Sequence, residues 1–364
     1  MTGPSPPNDP GIVVQRGPIP PGRPRLRPEG RLPQSRGAPA PLDGRSRFAP
    51  PPPGTAPPPS EPSLLSGPGI VVIDKPRGPS SHQVTAWVGK ILGVPVGHAG
   101  TLDPGVSGVL VVMLGSAVRL APYLQRGTKE YVCLWRLHGD LPRARIDEIA
   151  GEFAGRIYQR PPRKSAVKRA LRIRTVNRIE VLEVDGRSVL LRVSCDAGTY
   201  IRSLCHHMGL GAGPGGSMHE LRRTRSGSFT EDDAHTLHEL EDAADAAREG
   251  NPAPLRDMIL PIGRAVADLP RLTIRDSAVD ALCHGASLAG VGLVSAEGDF
   301  RARDPVGIFT RAGELVAVAE ALAASDRIVP GENGLVAAPR AVFLQPGTYP
   351  RGWKKRKRES ADTR

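Results

Sequence analysis

Two neighbouring runs carry the strongest structural signals of this 364-residue chain: DKPRGPSSHQVTAWV at residues 74–88 and GHAGTLDPGVSGVLVV at residues 97–112. The β-branched residues 70–73 precede the first run and predict a strand that enters a loop. The glycines of residues 97–108 predict a second loop, and the apolar residues 109–114 predict a buried strand after it. Polar loops between buried strands are places where functional side chains can stand.

A helix is predicted between these two loops. Ser80 or Ser81 can cap its first turn, and Gly93 with Pro95 can end it. Its apolar residues recur at helical spacing, at Val84, Trp87, Val88 and Ile91.

Hairpin strands are predicted farther along the chain, after a strand at residues 130–137. Residues 176–184 and 188–195 predict two strands joined at Asp185-Gly186, a dipeptide typical of tight hairpin turns. Thr199 can then cap a helix that continues to Met208. Strands in hairpins with helices between them favour an α+β fold over a doubly wound parallel sheet.

The pattern changes near residue 268. Short strands separated by glycine turns, at 291–294, 306–309, 315–319 and 341–344, predict a small β-barrel. We therefore divide the chain into a leader at 1–68, a first domain at 69–267, a barrel domain at 268–350 and a basic tail at 351–364. The leader holds 21 of the 39 prolines and no periodic apolar pattern, which predicts disorder.

Bulk composition restricts the function only a little. The net charge is +12, but the leader has 8 arginines against 4 acidic residues and the tail 7 basic against 2 acidic residues, so the middle keeps only +3. The tail can contact RNA, act as a nuclear import signal or simply be solvated. Residues 109–114 are far shorter than the roughly 20 apolar residues of a membrane helix. Four isolated cysteines predict reduced, half-buried thiols of a cytosolic or nuclear protein.

Asp103 is the first candidate for chemistry. It lies in a polar turn beside Gly100, Thr101 and Pro104, where its carboxylate can project into a cleft. A carboxylate is ionised at neutral pH, so it can act as a nucleophile without a separate base. The alternative is a turn aspartate that only bonds its own backbone.

Basic residues cluster locally in two places. Residues 156–178 contain nine Arg or Lys and no acidic residue, and Arg222, Arg223 and Arg225 form a second cluster. Both clusters predict phosphate binding, which positions RNA without reading its sequence.

Two further patterns suggest chemistry that we do not expect. Residues 211–216 spell GAGPGG and fit a dinucleotide-binding fingerprint, but a helix precedes them, Pro214 interrupts them, and no acidic residue follows as that fingerprint requires, so we predict a plain loop. Cys205, His206 and His207 are adjacent on a predicted helix, where neighbours diverge by about 100° and cannot converge on one ion. We predict no metal.

Several ordered blocks together resemble the TruB-type pseudouridine synthases, including their dyskerin-like branch. The blocks are the two runs above, KEY at 129–131, RPPRKSAVKRALRIRTV at 160–176, DAGTYIRSLCHH at 196–207 and ELRRTRSGSF at 220–229. DSAVDALCHGASLAGVGLV at 276–294 resembles the PUA domain, a small RNA-binding barrel. The resemblance implies a catalytic domain built on a mixed, largely antiparallel sheet, followed by a PUA domain.

The resemblance also implies roles for individual residues. Asp103 would attack the target uridine, Arg202 would pair with its carboxylate, and Tyr131 would stack on the uracil and assist proton movement. Lys75 would support the catalytic loop or bind phosphate, His98 would prop the position that a flipped base vacates, and Leu204 would line the base pocket. The remaining expected RNA contacts are Gly100, Thr101, Lys168 and Arg169. No cofactor is consumed in an isomerisation.

The block LHGD at 137–140, the basic run and the PUA match resemble the archaeal dyskerin-like branch. That branch implies RNA partners, tRNA or a guide RNA with its rRNA target, together with small H/ACA ribonucleoprotein proteins. It also implies a cytoplasmic location in an archaeal cell, or a nucleolar one in a eukaryotic cell. The alternatives are a non-catalytic RNA-binding scaffold and, more remotely, a nucleotide-binding oxidoreductase.

Overall fold

The computed structural model describes residues 67–161 and 170–350. The predicted leader and basic tail lie outside these residues, apart from the last two positions of the leader. The segment 162–169 also lies outside them, and with it the predicted RNA contacts Lys168 and Arg169.

A ten-stranded mixed sheet forms the first domain. In chain order its strands are β1 (Gly69–Lys75), β2 (Val96–Ala99), β3 (Ser107–Leu114), β4 (Lys129–Leu137), β5 (Gly155–Gln159), β6 (Arg172–Asp185), β7 (Ser188–Cys195), β8 (Gly216–Ser226), β9 (Phe229–Thr230) and β10 (Ala234–His235). The spatial order is β10-β1-β3-β8-β4-β7-β6-β5, with β2 beside β3 and β9 beside β8. Among the described strands of this sheet, only β1 with β10 and β3 with β8 pair in parallel, so the sheet is largely antiparallel.

Helices cover this sheet. They are α1 (Ser81–Leu92), α2 (Ala121–Leu124), α3 (Arg143–Glu152), α4 (Ile201–Ala212), α5 (Leu237–Arg248) and α6 (Ala253–Met258). Ser80 caps α1 in a reciprocal capping box with Gln83. Helices α1 and α5 pack on β1 and β3 through one apolar cluster, whereas α3 and α4 pack on β4, β6 and β7 through another.

A six-stranded sheet forms the second domain. Its strands are β11 (Arg271–Ile274), β12 (Leu288–Ala289), β13 (Leu293–Glu297), β14 (Pro305–Phe309), β15 (Leu315–Ala321) and β16 (Leu335–Val342). Their spatial order is β12-β16-β15-β14-β11-β13. Helix α7 (Asp276–Cys283) follows β11 in the chain. The protein is therefore an α+β protein with a small second β-domain, and the predicted fold class is confirmed.

One apolar cluster crosses between the two sheets. It joins Ile70, Met113 and Phe229 of the first domain to Phe309 and Phe343 of the second. The Arg119 guanidinium also lies 5.1 Å from the centre of the Phe343 ring. The two domains therefore share a continuous hydrophobic core.

The structure differs from the sequence predictions in several local details. Strand β2 occupies the first part of the predicted loop at 97–108, because it pairs with β3 from Val96↔Leu114 to Ala99↔Val111. Helix α4 begins after Tyr200 without a side-chain cap, and the Thr199 hydroxyl instead donates to the Asp196 carbonyl. The same helix extends to Ala212, so the first two residues of GAGPGG are helical rather than loop.

In the second domain, residues 290–292 form a 3-10 turn where a strand was predicted. The neighbouring strand runs at Leu293–Glu297 instead. Among the described helices, none has the length and apolar composition needed to cross a membrane.

Candidate active site

The loop between β2 and β3 carries Asp103 and is held from beneath by buried polar groups. The Ser81 hydroxyl, at the start of α1, donates to the Leu102 carbonyl at 2.9 Å and accepts from the Leu102 amide at 2.8 Å. Leu102 is buried, whereas Asp103 itself is exposed. Because both backbone polar groups of Leu102 are bonded to Ser81, the backbone before Asp103 is fixed. The direction of the Asp103 carboxylate is thereby restricted.

Lys75 supports the same loop from β1. Its ammonium group donates to the carbonyls of Pro76 at 2.8 Å, Val106 at 2.7 Å and Pro104 at 3.5 Å. The side chain is fully buried. Burial lowers the Lys75 pKa, with a smaller contribution from the Arg223 charge. Of the two predicted roles, loop support or phosphate binding, this geometry matches loop support, because no face of the ammonium group is open to a phosphate.

Asp103 and Arg202, 99 residues apart in sequence, form an ion pair. The Arg202 Nη2 atom lies 2.5 Å from the Asp103 Oδ2 atom, and the two side chains are 51% and 59% exposed. The first turn of α4 presents Arg202 to the loop. The pair is thus open to a substrate while its geometry is fixed by an ionic hydrogen bond.

The start of α4 is tied to β5 by Gln159. The Gln159 side chain accepts from the Tyr200 amide at 2.9 Å and donates to the Tyr200 carbonyl at 3.1 Å. Because Gln159 is buried and Tyr200 precedes α4 directly, this double hydrogen bond fixes the helix turn that carries Arg202.

Tyr131 stands on β4, half-buried and beside Arg223 of β8. Tyr131 and Arg223 lie directly opposite each other across β4 and β8, so their side chains are neighbours on one face of the sheet. Burial raises the Tyr131 pKa, and the Arg223 charge acts in the opposite direction. The influence of Asp103 on the same hydroxyl places Tyr131 in the electrostatic neighbourhood of the loop.

Arg223 is almost completely buried, at 2% exposure. Its Nε atom donates to the Val109 carbonyl and its Nη2 atom to the Gly100 carbonyl, both at 2.8 Å. Gly100 has φ +78°, and a Cβ atom there would lie 3.2 Å from the Arg223 Nη1 atom. At Gly108, a Cβ atom would lie 2.2 Å from the Arg223 carbonyl oxygen, so glycine lets β3 and β8 approach.

His98 and Thr101 lie at the opposite side of the loop. The His98 Nδ1 atom is 3.1 Å from the Thr85 hydroxyl, and its Nε2 atom is 3.4 Å from the Thr101 hydroxyl. The His82 ring meets the His98 ring edge-on at 4.9 Å. Burial lowers the His98 pKa, and the His82 and Arg223 charges lower it further. This holds the imidazole neutral in a fixed orientation.

Leu204 is placed differently from the prediction that it lines the base pocket beside Asp103. It is buried in the core between α4 and the sheet. It does line a depression of about 470 Å³, but together with Phe153, Tyr158 and His207 rather than with Asp103 or Tyr131. A leucine three residues after a helix start has core packing as its usual role, and that is where it lies.

The second basic cluster is not a phosphate site as predicted. Arg223 is buried, and Arg222 bonds both Asp74 carboxylate oxygens, at 2.9 and 3.1 Å, as well as Glu231. Only Arg225 of the three is exposed. Adjacent strand residues face opposite sides of a sheet, so three near-consecutive arginines on β8 could not form one surface patch.

Of the first basic cluster, the described residues Arg156, Arg160 and Arg178 are exposed on or beside the strands that flank segment 162–169. Arg178 contacts Glu180 at 3.5 Å. The described part of this cluster therefore keeps two exposed arginines that no acidic side chain is seen to neutralise.

No group of three or more His, Cys, Asp or Glu side chains within 67–161 and 170–350 is arranged to hold a metal ion. His206 and His207 are both exposed, whereas Cys205 is buried with its sulfur 3.4 Å from that of Cys133. Three of the four cysteines are fully buried rather than half-buried as predicted.

Four residues that fix the site were absent from the sequence prediction: Ser81 as a loop support, Lys129, Gln159 and Arg223. Lys129 is buried on β4, and its ammonium group donates to the carbonyls of Leu124 at 3.1 Å and Gly127 at 2.7 Å. The KEY and LRR motifs contain two of them, but motif membership alone does not indicate burial.

Family comparisons agree with this architecture over most of residues 90–343. The TruB family pseudouridylate synthase N-terminal domain matches residues 90–201, the tRNA pseudouridylate synthase B C-terminal domain matches 202–267, and the PUA domain matches 270–343. The proteins named "Probable tRNA pseudouridine synthase B" from Methanosarcina mazei and Methanothermobacter thermautotrophicus are each 50% identical to it. They match over 79% of this chain and over 86% and 89% of their own lengths.

Solved structures give the same result. An H/ACA RNP bound to a substrate RNA containing 2'-deoxyuridine matches with a TM-score of 0.74 and 45% identity, covering 78% of this chain and 88% of the other. A Cbf5-Nop10-Gar1 complex matches with a TM-score of 0.74 and 47% identity, covering 78% and 87%. The fold and site are those of a pseudouridine synthase with a PUA domain. The chain belongs to the TruB family, in its archaeal dyskerin-like branch.

Proposed function

We propose that this chain isomerises uridine to pseudouridine in RNA with Asp103 as the nucleophile. The observation that carries the proposal is the Asp103–Arg202 ion pair, which is open to substrate yet fixed on both sides: Ser81 and Lys75 hold the loop, and Gln159 holds the start of α4. The RNA is the T-loop of tRNA, rRNA presented by an H/ACA guide RNA, or both. The names of the relatives support both substrates.

The chemistry needs only groups present in the chain. The bond between the ribose carbon C1' and the base nitrogen N1 breaks with covalent assistance from the Asp103 carboxylate. The bond that Asp103 forms to the nucleoside breaks again before product release, which regenerates the free carboxylate. The uracil turns and rejoins C1' through its ring carbon C5. The C5 proton leaves and N1 gains a proton, so atoms and charge balance without an added reagent. Arg202 directs the carboxylate through their ionic hydrogen bond.

In this proposal Tyr131 provides the face on which the uracil stacks, and its hydroxyl assists the movement of the C5 proton. A uridine inside folded RNA has to leave its stack to reach Asp103. The neutral His98 ring, held by Thr85 and Thr101, props the position that the base vacates. Lys75 acts by supporting the loop.

RNA and small H/ACA proteins are the proposed partners, because the similar solved chains occur in complexes with them. The described surface has a feature that suits a protein partner: three exposed apolar side chains lie close to segment 162–169. They are Tyr158 on β5, Ile173 opposite it on β6, and Leu171 just before β6. Lys168 and Arg169 in that segment would contact the RNA backbone, and the PUA domain would hold the guide-RNA end.

The proposed division of the chain is the one given above: a leader at 1–68, the catalytic domain at 69–267, the PUA domain at 268–350 and the tail at 351–364. The change from the first sheet to the second, between β10 and β11, supports the boundary at 267/268. The archaeal relatives support a cytoplasmic location.

A turnover assay tests the proposed activity. The full chain is incubated with uridine-labelled tRNA and with guide plus target RNA, each with and without H/ACA partner proteins, and pseudouridine is quantified. Wild type is expected to form pseudouridine in at least one condition. Asp103→Ala and Asp103→Asn are expected to lower the single-turnover rate by at least about 10³-fold, because the nucleophile is lost.

Asp140→Ala is the matched control, because Asp140 also pairs with an exposed arginine, Arg187, at 2.7 Å but lies away from the loop. It is expected to retain the wild-type rate. Turnover that survives in Asp103→Ala would overturn the nucleophile assignment. RNA binding without turnover in every condition would favour the alternative, a non-catalytic RNA-binding scaffold.

A further inference from the structure

We propose that Arg223 is a positioning residue of the reaction: its buried guanidinium bonds the Gly100 carbonyl, on the loop of Asp103, and lies beside Tyr131 across β8 and β4. This inference rests on the proposed function of Asp103 and Tyr131. It gives Arg223 a positioning role, whereas the basic cluster in the sequence predicted phosphate binding.

The sheet topology places Arg223 between the two catalytic segments. Strand β8 lies between β3 and β4, so Arg223 pairs with Gly108 on one side and with Tyr131 on the other. Its side chain then extends under the loop as far as Gly100. The loop and the tyrosine have no direct backbone ladder with each other in the described sheet order, so β8 is the element that connects them.

Only a guanidinium can make this connection. Its planar fork presents several N–H donors in fixed directions, and here the Nε and Nη2 donors are used by the Val109 and Gly100 carbonyls. Tyr131 lies opposite Arg223 on β4, and the guanidinium charge acts on its hydroxyl. A lysine at this place has one compact ammonium group and cannot bond both carbonyls with the same planar geometry.

A purely structural role is a poor account of Arg223. The side chain is 2% exposed, and no ion pair of the described residues includes it. Burying a cation without a carboxylate costs several kcal/mol, so such groups concentrate at functional sites. Its charge also lowers the pKa values of Lys75, Lys129 and His98, each of which is lowered mainly by burial.

The Arg223 charge acts directly on Tyr131. Burial raises the Tyr131 pKa, and the guanidinium lowers it by favouring the phenolate. The other groups that face this hydroxyl are Cys195 on β7 and Asp103 on the loop, and both raise its pKa. Removing the Arg223 charge should therefore raise the Tyr131 pKa further, so that less phenolate is present to accept a proton.

Arg223→Lys tests the geometric part, because it keeps a cation but loses the fork. We expect the single-turnover rate on saturating tRNA or guided target RNA to fall roughly 10- to 100-fold, while the RNA Kd changes less than about twofold. Arg192→Lys, an exposed arginine on β7 paired with Glu180, is the matched control and should keep the wild-type rate. An unchanged rate in Arg223→Lys would overturn the proposal, as would a loss explained wholly by weaker RNA binding.

A second measurement does not depend on activity. With 3-fluorotyrosine at position 131, the ¹⁹F resonance reports the titration of that hydroxyl in wild type, Arg223→Lys and Arg223→Gln. We expect the titration to move to higher pH in Arg223→Gln, and by less in Arg223→Lys. Coincident titrations in the three proteins would overturn the electrostatic link, and if Arg223→Gln does not fold, wild type against Arg223→Lys decides.

Asp103→Ala is measured beside these variants to separate the two proposals. If Asp103→Ala keeps turnover, the proposed function fails whatever Arg223 does. If Asp103→Ala abolishes turnover while Arg223→Lys keeps the wild-type rate, only the Arg223 proposal fails.

Discussion

At the scale of single residues, the Asp103–Arg202 pair orients the Asp103 carboxylate and contributes little to the stability of the fold. Both side chains are about half exposed, and exposed ion pairs contribute on average about 0–1 kcal/mol to folding. The pair fixes the direction of the carboxylate, because Arg202 comes from the first turn of a helix and Asp103 from a loop held by hydrogen bonds. Substitutions in the pair should therefore separate activity from stability.

Arg202→Lys is the clearest test of this separation. A lysine keeps the positive charge but cannot reproduce the planar contact with the carboxylate. We expect the single-turnover rate to fall roughly 10- to 100-fold, with the midpoint of thermal unfolding changed by less than about 2 °C. Arg187→Lys, at the exposed pair with Asp140, is the control and should change neither quantity. A parallel loss of rate and stability would contradict the separation.

Lys129 should make stability depend on pH in the alkaline range. Burial, aided by the Arg223 charge, lowers the Lys129 pKa from 10.5 to about 8. Between these pH values the unfolded chain binds more protons at this position than the folded chain, so stability from this group rises with pH.

The free energy of unfolding of wild type relative to Lys129→Met should therefore increase by roughly 3 kcal/mol between pH 7.5 and 10.5, measured by urea unfolding. Comparing wild type with Lys129→Met cancels, to first order, the titration of other groups. Gln125→Met, at an exposed position without a titratable side chain, is the control and should show a flat difference. A flat difference for Lys129→Met as well would mean that this ammonium group is not desolvated in the folded protein.

At the scale of elements, the position of α4 depends on an edge strand. Strand β5 lies at the end of the sheet, next to segment 162–169, and its last residue is Gln159. The Gln159 amide fixes Tyr200, so any movement of β5 is transmitted to the helix turn of Arg202. This edge, which we propose to contact RNA and a protein partner, is thereby connected to the proposed catalytic pair.

Gln159→Leu should loosen this connection. The Tyr200 amide loses its acceptor, which we expect to cost about 1–3 kcal/mol in the free energy of unfolding. The single-turnover rate should fall at least tenfold at a temperature where the variant remains folded, because Arg202 is less well placed. Gln125→Leu, at an exposed position, is the control for the same change of side chain. A stability loss with an unchanged rate would show that α4 keeps its position without Gln159.

Elements also show what the sequence could and could not predict. Strand β7 and most of β6 follow from alternating apolar residues around Asp185-Gly186, and β4 from its aromatic and β-branched residues. Strand β8 was not predicted, because its LRRTR sequence has an arginine on each face, and arginine is a poor indicator of burial. The acceptors of Arg223 lie 114 and 123 residues away, so its role depends on sheet order, which no local pattern encodes.

The residues of the candidate site were likewise predictable only in part from the sequence. Asp103, Tyr131 and Arg202 lie within recognisable blocks, so their residue types and neighbours were sufficient to select them. Leu204 was misplaced because a helix position alone does not tell which side of the helix faces a cleft. Gln159 and Lys129 are recognisable only from burial together with specific carbonyl and amide partners, which appear once the chain is folded.

At the scale of the whole molecule, the shared core makes the two domains one folding unit. Phe309 of β14 packs in the apolar cluster that contains Ile70 and Met113 of the first sheet. A Cβ atom at Gly263, in the 3-10 turn before the second domain, would lie 3.2 Å from the Phe309 ring. Such contact between a first-domain turn and a second-domain aromatic leaves little room for independent unfolding.

Phe309→Ala should therefore destabilise both domains together. Deleting a buried phenylalanine costs about 3–5 kcal/mol, which corresponds to a fall of roughly 5–15 °C in the unfolding midpoint. Calorimetry should show one transition in wild type and one, shifted, in the variant. Val291→Ala, at an exposed apolar position of the same domain, should leave the midpoint nearly unchanged. Two transitions, of which only one moves, would show that the domains unfold separately.

The shared core also limits how this protein can change over evolutionary time. A recombination event that exchanged the C-terminal domain for one from another RNA-binding protein would have to bring aromatic residues matching Phe309 and Phe343, and the Arg119 guanidinium would need a new ring to cover. Single substitutions on either side of the cluster are acceptable only when the other side compensates for their volume. Inheritance of the two halves is therefore coupled, and paired substitutions at this boundary should mark lineages within the family.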